Sequence, residues 1–315
     1  MSFIAELIRN FKPAYSAYNL LHTSQLQHNR EAYNRYGIKK PLFAGISSAD
    51  FKNLPPTAPP WLDNPDEMWV EQQIAQAQIP EEQREQLRFW RKNGYLILPK
   101  FLDENQVESI NTEVNRLLSA KSVAFNNYGK IMFAHKKSAI INSHIAQKYL
   151  TNLLEILLGK PVIPFQTINF RQGSQQRAHS DSIHMSTYPA GFLAAAWFAL
   201  EKVDADNGAL FYYPGTHRLP YLFNDGYEHG GNNLLLGKHA YKAYENRLEE
   251  ILQEQKLDPQ TFHANPGDVL IWHANLVHGG MPINDPKRTR QSMVAHYFAE
   301  GVIKYHEITQ RPALL

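Results

Sequence analysis

In the stretch "QQRAHSDSIHMST", His179 and Asp181 form an H-x-D. An imidazole and a carboxylate two positions apart can hold one edge of a divalent metal, because alternate residues of a strand point the same way. The tripeptide recurs by chance, so its meaning depends on partners elsewhere in the chain. A mononuclear oxygen-activating iron needs two imidazoles and one carboxylate on one face, with open positions for a chelating cosubstrate and O2. The second imidazole must come from a distant strand, and "IWHANLVHGG" offers His273 and His278. Farther on, "TRQSMVAHYF" places Arg290 at the start of a run with Ser292 on the same face. A guanidinium and a hydroxyl together can hold the far carboxylate of a dicarboxylate cosubstrate. Arg288 shares that face if the strand extends back, so periodicity alone does not choose between the two arginines.

A scaffold must bring these distant residues together. The chain of 315 residues has room for one large domain or two modest ones, and it is 43% hydrophobic and 12% aromatic, enough for a sizeable core. Its formal net charge is +2, which does not point to a nucleic-acid partner. The absence of cysteine excludes disulfides, thiolate metal sites and a cysteine nucleophile. The N-terminus lacks a continuous apolar h-region and carries Glu6, so it does not read as a signal peptide. No run approaches the roughly 18 apolar residues of a membrane span, and the expected location is cytoplasmic.

Residues 1–37 read as helical, with Phe3, Ile4, Leu7, Ile8 and Phe11 at helical spacing. Five prolines in 52–65 mark an extended arm, and 66–96 returns to helical periodicity, with a fresh start at Pro80 and a cap at Gly94. Tyr95–Leu98 suit a short strand, Asp103 caps the next helix, and 143–159 reads as a single helix closed by Gly159. From 161 onward, short β-rich runs are bounded by Gly, Pro, Asn or Asp. They predict a sandwich, barrel or jelly roll, interrupted by a long insertion at 218–262.

The ordered series of H-x-D, "AAAWFAL", "DNGALFYYPGTH", "PGDVLIWHANLVHGG" and "TRQSMVAHYF" resembles the phytanoyl-CoA dioxygenase family of Fe(II)/2-oxoglutarate oxygenases. With the opening "FWRKNGYLILPKFLDENQVESI", the resemblance covers roughly residues 86–303. It implies a mainly β fold with flanking helices (α+β), built on a double-stranded β-helix (jelly roll, cupin-like) core. The core domain would span 86–315, with 1–85 as a helical, Pro-rich extension packed on it. The resemblance further implies that iron sits on His179, Asp181 and His278, the last in preference to His273. Arg290, with Ser292, would bind the cosubstrate carboxylate, and Trp197 and Gln166 would line the same pocket. The implied reaction is hydroxylation of a small organic substrate by O2, with 2-oxoglutarate converted to succinate and CO2. The carboxylate at Asp181, which relatives that halogenate replace with a small residue, implies hydroxylation and not halogenation.

Nearness in sequence to these motifs marks His184, Tyr188 and Tyr213 as candidate substrate contacts, with Tyr212 and His217 beside them. The 218–262 insertion is expected to cover the pocket as a lid. The 1–85 extension is a candidate surface for a homodimer. A near-neutral chain argues against a CoA-bound substrate, although the Lys136–Lys137 pair could hold an anion. Two other readings fit parts of the pattern. One is a cupin-like metal-dependent isomerase or epimerase, which needs no Arg290–x–Ser292 pair. The other is a non-enzymatic jelly-roll (carbohydrate) binding module with a structural His cluster.

Overall fold

Alternation along the most apolar run explains the architecture. In "LAAAWFA" every residue is buried. Ala195, Trp197 and Ala199 join one apolar cluster, while Ala194, Ala196 and Phe198 join another. A strand covered on both faces needs no polar side, so it reads as a continuous hydrophobic run. It lies inside a six-stranded antiparallel sheet with helices outside and a second sheet opposite.

The computed structural model describes residues 10–315. In chain order the helices are α1 (Lys12–Leu21), α2 (Arg30–Tyr36), α3 (Glu67–Gln76), α4 (Glu81–Asn93), α5 (Glu104–Ser119), α6 (Ala139–Ile145), α7 (Lys148–Leu158) and α8 (Ala240–Glu254). The strands are β1 (Tyr95–Leu98), β2 (Lys130–Met132), β3 (Val162–Phe170), β4 (Ser186–Tyr188), β5 (Leu193–Ala199) and β6 (Leu210–Tyr212). They continue with β7 (Gln260–Phe262), β8 (Val269–His273), β9 (His278–Gly280), β10 (Ser292–Ala299), β11 (Ile303–His306) and β12 (Arg311–Pro312).

The large sheet runs β1-β8-β5-β10-β3-β2. Facing it, β7-β6-β9 form a small sheet that an isolated bridge between His179 and His278 extends. Trp197, Leu210, Phe262, Leu270, Trp272 and Val294 fill the space between the two sheets. This is the jelly roll expected from the short strands. A third small sheet, β12-β11-β4, lies apart from both.

Helices α3 to α7 cover the outer face of the large sheet through Ile74, Trp90, Ile110, Ile141 and Leu154, among others. Their ends follow the sequence signals. Gly94 closes α4 in the left-handed conformation, and Asp103 and Gln106 form a reciprocal capping box at the start of α5. The single helix expected over 143–159 is two helices, because Gln147 adopts an extended conformation between them. The break lets Ile141 and Ile145 on one side, and Leu150 and Leu154 on the other, all face the core.

The N-terminal extension is fastened to the core by named groups. Phe3, Ile4, Leu7 and Ile8 lie outside the described residues. Asn29 exchanges two hydrogen bonds with the backbone of Lys304, at 3.0 and 2.8 Å. In the proline-rich arm, the Trp61 indole donates to the Ile156 carbonyl at 2.7 Å, and Leu62 is buried. The 218–262 insertion is shorter than its expected bounds, since β7 pairs with β6 and belongs to the small sheet. No helix among the described residues is long and apolar enough to cross a membrane.

Candidate active site

The two sheets converge on one buried cluster. One nitrogen each from His179 and His278 and one oxygen from Asp181 lie within 4.8 Å of one another. Two devices place them. The backbones of His179 and His278 hydrogen-bond reciprocally, both at 2.9 Å, which locks the first histidine beside the start of β9. Asp181 then begins a 3-10 turn, Asp181–Ile183. The H-x-D thus keeps the extended alternation expected of it. Ser180 is extended between its two members, so strand alternation puts imidazole and carboxylate on one side, and the chain turns only from Asp181 onward.

Hydrogen bonds set which atoms are free. His179 Nδ1 lies 2.9 Å from the Arg177 carbonyl, and His278 Nδ1 lies 2.9 Å from the Leu276 carbonyl. A carbonyl can only accept, so each Nδ1 carries its proton and each Nε2 offers a lone pair. The Trp272 indole donates to Asp181 Oδ2 at 2.7 Å, and His296 Nε2 is 3.5 Å from the same oxygen. Oδ1 faces His278 Nε2 at 3.9 Å. His179 Nε2 is approached at 3.2 Å by the Gln176 amide, which a metal would displace.

Protonation suits a cation. Burial, then the charge of His278, holds His179 well below the usual imidazole range, and burial also lowers His278. Burial pushes the Asp181 carboxyl up, but the neighbouring histidines outweigh it and leave it well below its usual value. Two neutral imidazoles and one carboxylate are the set a divalent metal requires. Replacing Trp272 by Phe removes the donor that fixes the carboxylate. Fe(II) affinity, measured by titration of the metal-free protein, should fall roughly ten- to a hundredfold.

The cluster opens into a cavity of about 300 Å³ that Gln166, Trp197, Arg290, His184 and Lys130 also line. Arg290 is 2% exposed. Its guanidinium lies 5.5 Å from the ring centres of both Phe170 and Trp197, and its Nε has no hydrogen-bond partner. Burial lowers its pKa to about 10. Ser292 is buried on the same alternation as Val294 and His296, and its Oγ is also without a partner. Buried donors left open in this way are costly unless a ligand completes them, and a carboxylate is the complementary group. These residues fit a chelated metal with a dicarboxylate beside it.

The rival residues lie elsewhere. His273 points to the opposite face of β8 from Trp272, and its Nε2 is 3.0 Å from Asp63 of the proline-rich arm. Arg288 pairs with Asp204 at 2.8 Å near the surface. Of the candidate substrate contacts, His184 lines the cavity, its ring 6.4 Å from that of His179 and 4.7 Å from that of Tyr241. The structure does not bring Tyr188 or Tyr213 there. Tyr188 stacks on Phe51 at 4.1 Å and lines a separate cavity under the N-terminal extension. Tyr213 lies one residue beyond β6 and packs with the α8 cluster. Tyr212 joins the apolar layer between the sheets, and His217 lies against His273.

Sequence reasoning missed Trp272, His296, Gln176, His306 and Lys130. His296 was readable, because it continues the Arg290–Ser292–Val294 alternation. Lys130 gave no signal, since it comes from a three-residue strand that only the fold sets beside β3. The insertion reaches the site through α8. Tyr241 accepts from Gln176 at 3.1 Å, and the Tyr244 hydroxyl lies 3.0 Å from the Ser180 amide.

Residues 90–291 match the family model described as Phytanoyl-CoA dioxygenase. A probable phytanoyl-CoA dioxygenase of Caenorhabditis elegans is 24% identical over 253 residues, which cover 70% of this chain and 77% of that protein. An ectoine dioxygenase of Halomonas elongata is 23% identical over 213 residues, covering 62% of this chain and 63% of that protein. Among solved structures, the non-heme alpha ketoglutarate dependent epimerase SnoN from nogalamycin biosynthesis has a similar fold. Its TM-score is 0.55 at 22% identity, covering 74% of this chain and 87% of that one.

Proposed function

The chain belongs to the phytanoyl-CoA dioxygenase family of Fe(II)- and 2-oxoglutarate-dependent oxygenases, and on that premise we propose that it hydroxylates a small organic substrate. One observation carries the proposal. The His179–Asp181–His278 cluster shares its cavity with a buried guanidinium that has no carboxylate partner among the described residues. A metal-dependent isomerase that uses no 2-oxoglutarate would have no need of that cation.

Iron bound with 2-oxoglutarate supplies oxidative decarboxylation of the cosubstrate and transfer of an oxygen atom from O2 to a C–H bond. The chain's residues do the rest. His179, Asp181 and His278, which line the cavity, would hold the metal there. Trp272 and the Arg177 and Leu276 carbonyls keep those ligands oriented. Arg290 and Ser292 take the far carboxylate of 2-oxoglutarate, while Trp197 and Phe170 keep water from the guanidinium. His184, which burial pushes down to about 4, faces the substrate as a neutral imidazole. Asp181 occupies a ligand position, which supports hydroxylation over halogenation. Succinate and CO2 are the coproducts.

Protein loaded with Fe(II) should release succinate from 2-oxoglutarate under air and none under argon. Adding a hydroxylated substrate should raise that rate, with one product heavier by one oxygen atom in the mass spectrum. If succinate forms with Fe(II) at no more than the protein-free rate across a broad substrate panel, the oxygenase reading fails. If succinate forms while the product is an isomer of unchanged mass, hydroxylation fails and the cofactor assignment stands.

A further inference from the structure

The cavity that holds the metal ligands is only the inner part of a larger space. A second cavity of about 740 Å³ adjoins it, and Lys130, Gln166, His184, Met185 and His306 line both. Those shared residues form the throat between them, so whatever reaches the metal passes through or occupies the outer chamber.

The outer chamber has an unusual charge for this chain. Lys136, Lys137 and Arg311 line it with Lys130 at the throat, and no Asp or Glu among the described residues does. Several arginines elsewhere are neutralised in place. Arg88, Arg116, Arg177, Arg247 and Arg288 each pair with carboxylates. Among the described residues, none of the chamber's cations is ion-paired. Instead three rest on aromatic faces: Lys136 Nζ is 5.4 Å from the Phe133 ring centre, the Arg311 guanidinium 5.0 Å from that of Tyr15, and Lys130 Nζ 5.6 Å from that of Phe170. A cation held by a ring is oriented while its charge stays available.

The chain accepts strain to build this rim. Phe133 has φ 60° and ψ 32°, a left-handed conformation that an aromatic residue seldom adopts. It begins the 3-10 turn Ala134–Lys137 that carries both lysines. Part of the remaining wall is apolar, with Phe165, Phe298 and Leu314, beside the polar Ser122 and Asn126. A mouth of cations above a partly apolar wall complements a molecule with one anionic end and an apolar body.

We propose that the outer chamber is the substrate site and that it selects an anionic amphiphile, its carboxylate or phosphate on Lys136, Lys137 and Arg311 and its apolar segment directed past His184 towards the metal ligands. The near-neutral balance of the whole chain hides this local excess, so it is no argument against an anionic substrate. That the chamber feeds a reaction rests on the oxygenase reading; the anion site itself does not.

Octanoate and octyl phosphate serve as probes, with octanol and octylammonium as controls. Binding to the full chain, loaded with Fe(II) under argon and with 2-oxoglutarate saturating, is read by calorimetry. Octanoate or octyl phosphate should bind, octanol more weakly and octylammonium not at all. The relative affinity of the two anions tells carboxylate from phosphate. The K136Q/K137Q/R311Q variant alters exposed or half-buried side chains and should fold normally. It should lose about tenfold in anion affinity, the combined effect of three solvent-screened charge contacts. Its affinity for 2-oxoglutarate should not change.

Octanol binding as tightly as octanoate, or no binding of either anion, overturns the proposal. So does wild-type anion affinity in the triple variant. Anion binding that appears only without 2-oxoglutarate also overturns it, because the anion is then occupying the Arg290 pocket. Failure of the oxygenase reading shows separately, as absent succinate with anion binding intact.

Discussion

An Asp181→Ala variant should fold normally and yet form succinate from 2-oxoglutarate at a background rate. Asp181 is the single carboxylate of the ligand cluster, so its loss leaves a divalent cation among neutral imidazoles in a buried site. Breaking a buried charge pair by removing one partner costs ~4 kcal/mol, which corresponds to about a thousandfold in Fe(II) affinity. The substitution also strands the Trp272 indole, whose acceptor is Asp181 Oδ2. Three measurements check it: iron content after desalting, succinate formation under air, and thermal stability of the metal-free protein. Asp204→Ala is the control. It removes a carboxylate that pairs with Arg288 on the surface, and its activity should match wild type. Turnover of 2-oxoglutarate at the wild-type rate in the Asp181 variant would overturn the ligand assignment and the reaction with it.

How much of this was legible in the sequence depends on which physical signal each residue leaves. The jelly roll was legible because its strands alternate or are wholly apolar and end in turn residues. Both signals survive in "LAAAWFA" and "VLIWH". The metal ligands were legible because residue chemistry narrows the field and the order of motifs narrows it further. The turn that begins at Asp181 was not, since a 3-10 turn of three residues has no period to detect. Tyr188 and Tyr213 show the limit of reasoning by nearness. Both lie within a few residues of the motifs, but Tyr188 is on β4 of the separate small sheet and Tyr213 is past the end of β6. Which side of a sheet a residue faces follows from register, and register follows from pairing across more than a hundred residues. Ile303↔Tyr188 is one such pair. The basic outer chamber was hidden for the same reason. Lys130, Lys136 and Lys137 come from the segment just before the β region and Arg311 from more than 170 residues later, and only the fold concentrates their charge.

Arg290 offers the sharpest test of how the pocket works, because its role in the free protein opposes its role with cosubstrate. A guanidinium buried without a paired carboxylate costs stability, and burial, only partly offset by the charge of Glu201, lowers its pKa to about 10. Replacing such a group by an apolar residue of similar length relieves that cost. Arg290→Met should therefore leave the apo protein as stable as wild type or more so. With cosubstrate the order reverses. Hydrogen bonds to a charged partner are worth up to ~3 kcal/mol, so 2-oxoglutarate should bind the variant about a hundredfold more weakly. Thermal melts show both effects at once. Saturating 2-oxoglutarate with Fe(II) should raise the wild-type midpoint and leave that of the variant nearly unmoved, since a ligand stabilises only by binding the folded state. Arg290→Lys should recover little, because a point charge cannot reproduce the two-pronged contact of the guanidinium with a carboxylate. In kinetics the loss belongs in the KM for 2-oxoglutarate, with kcat less affected at saturation. An unchanged KM in Arg290→Met would move the carboxylate to the other cation of the inner cavity, Lys130, whose Nζ lies 3.1 Å from Gln176 Oε1. The same melt on Lys130→Met would then lose its response to 2-oxoglutarate.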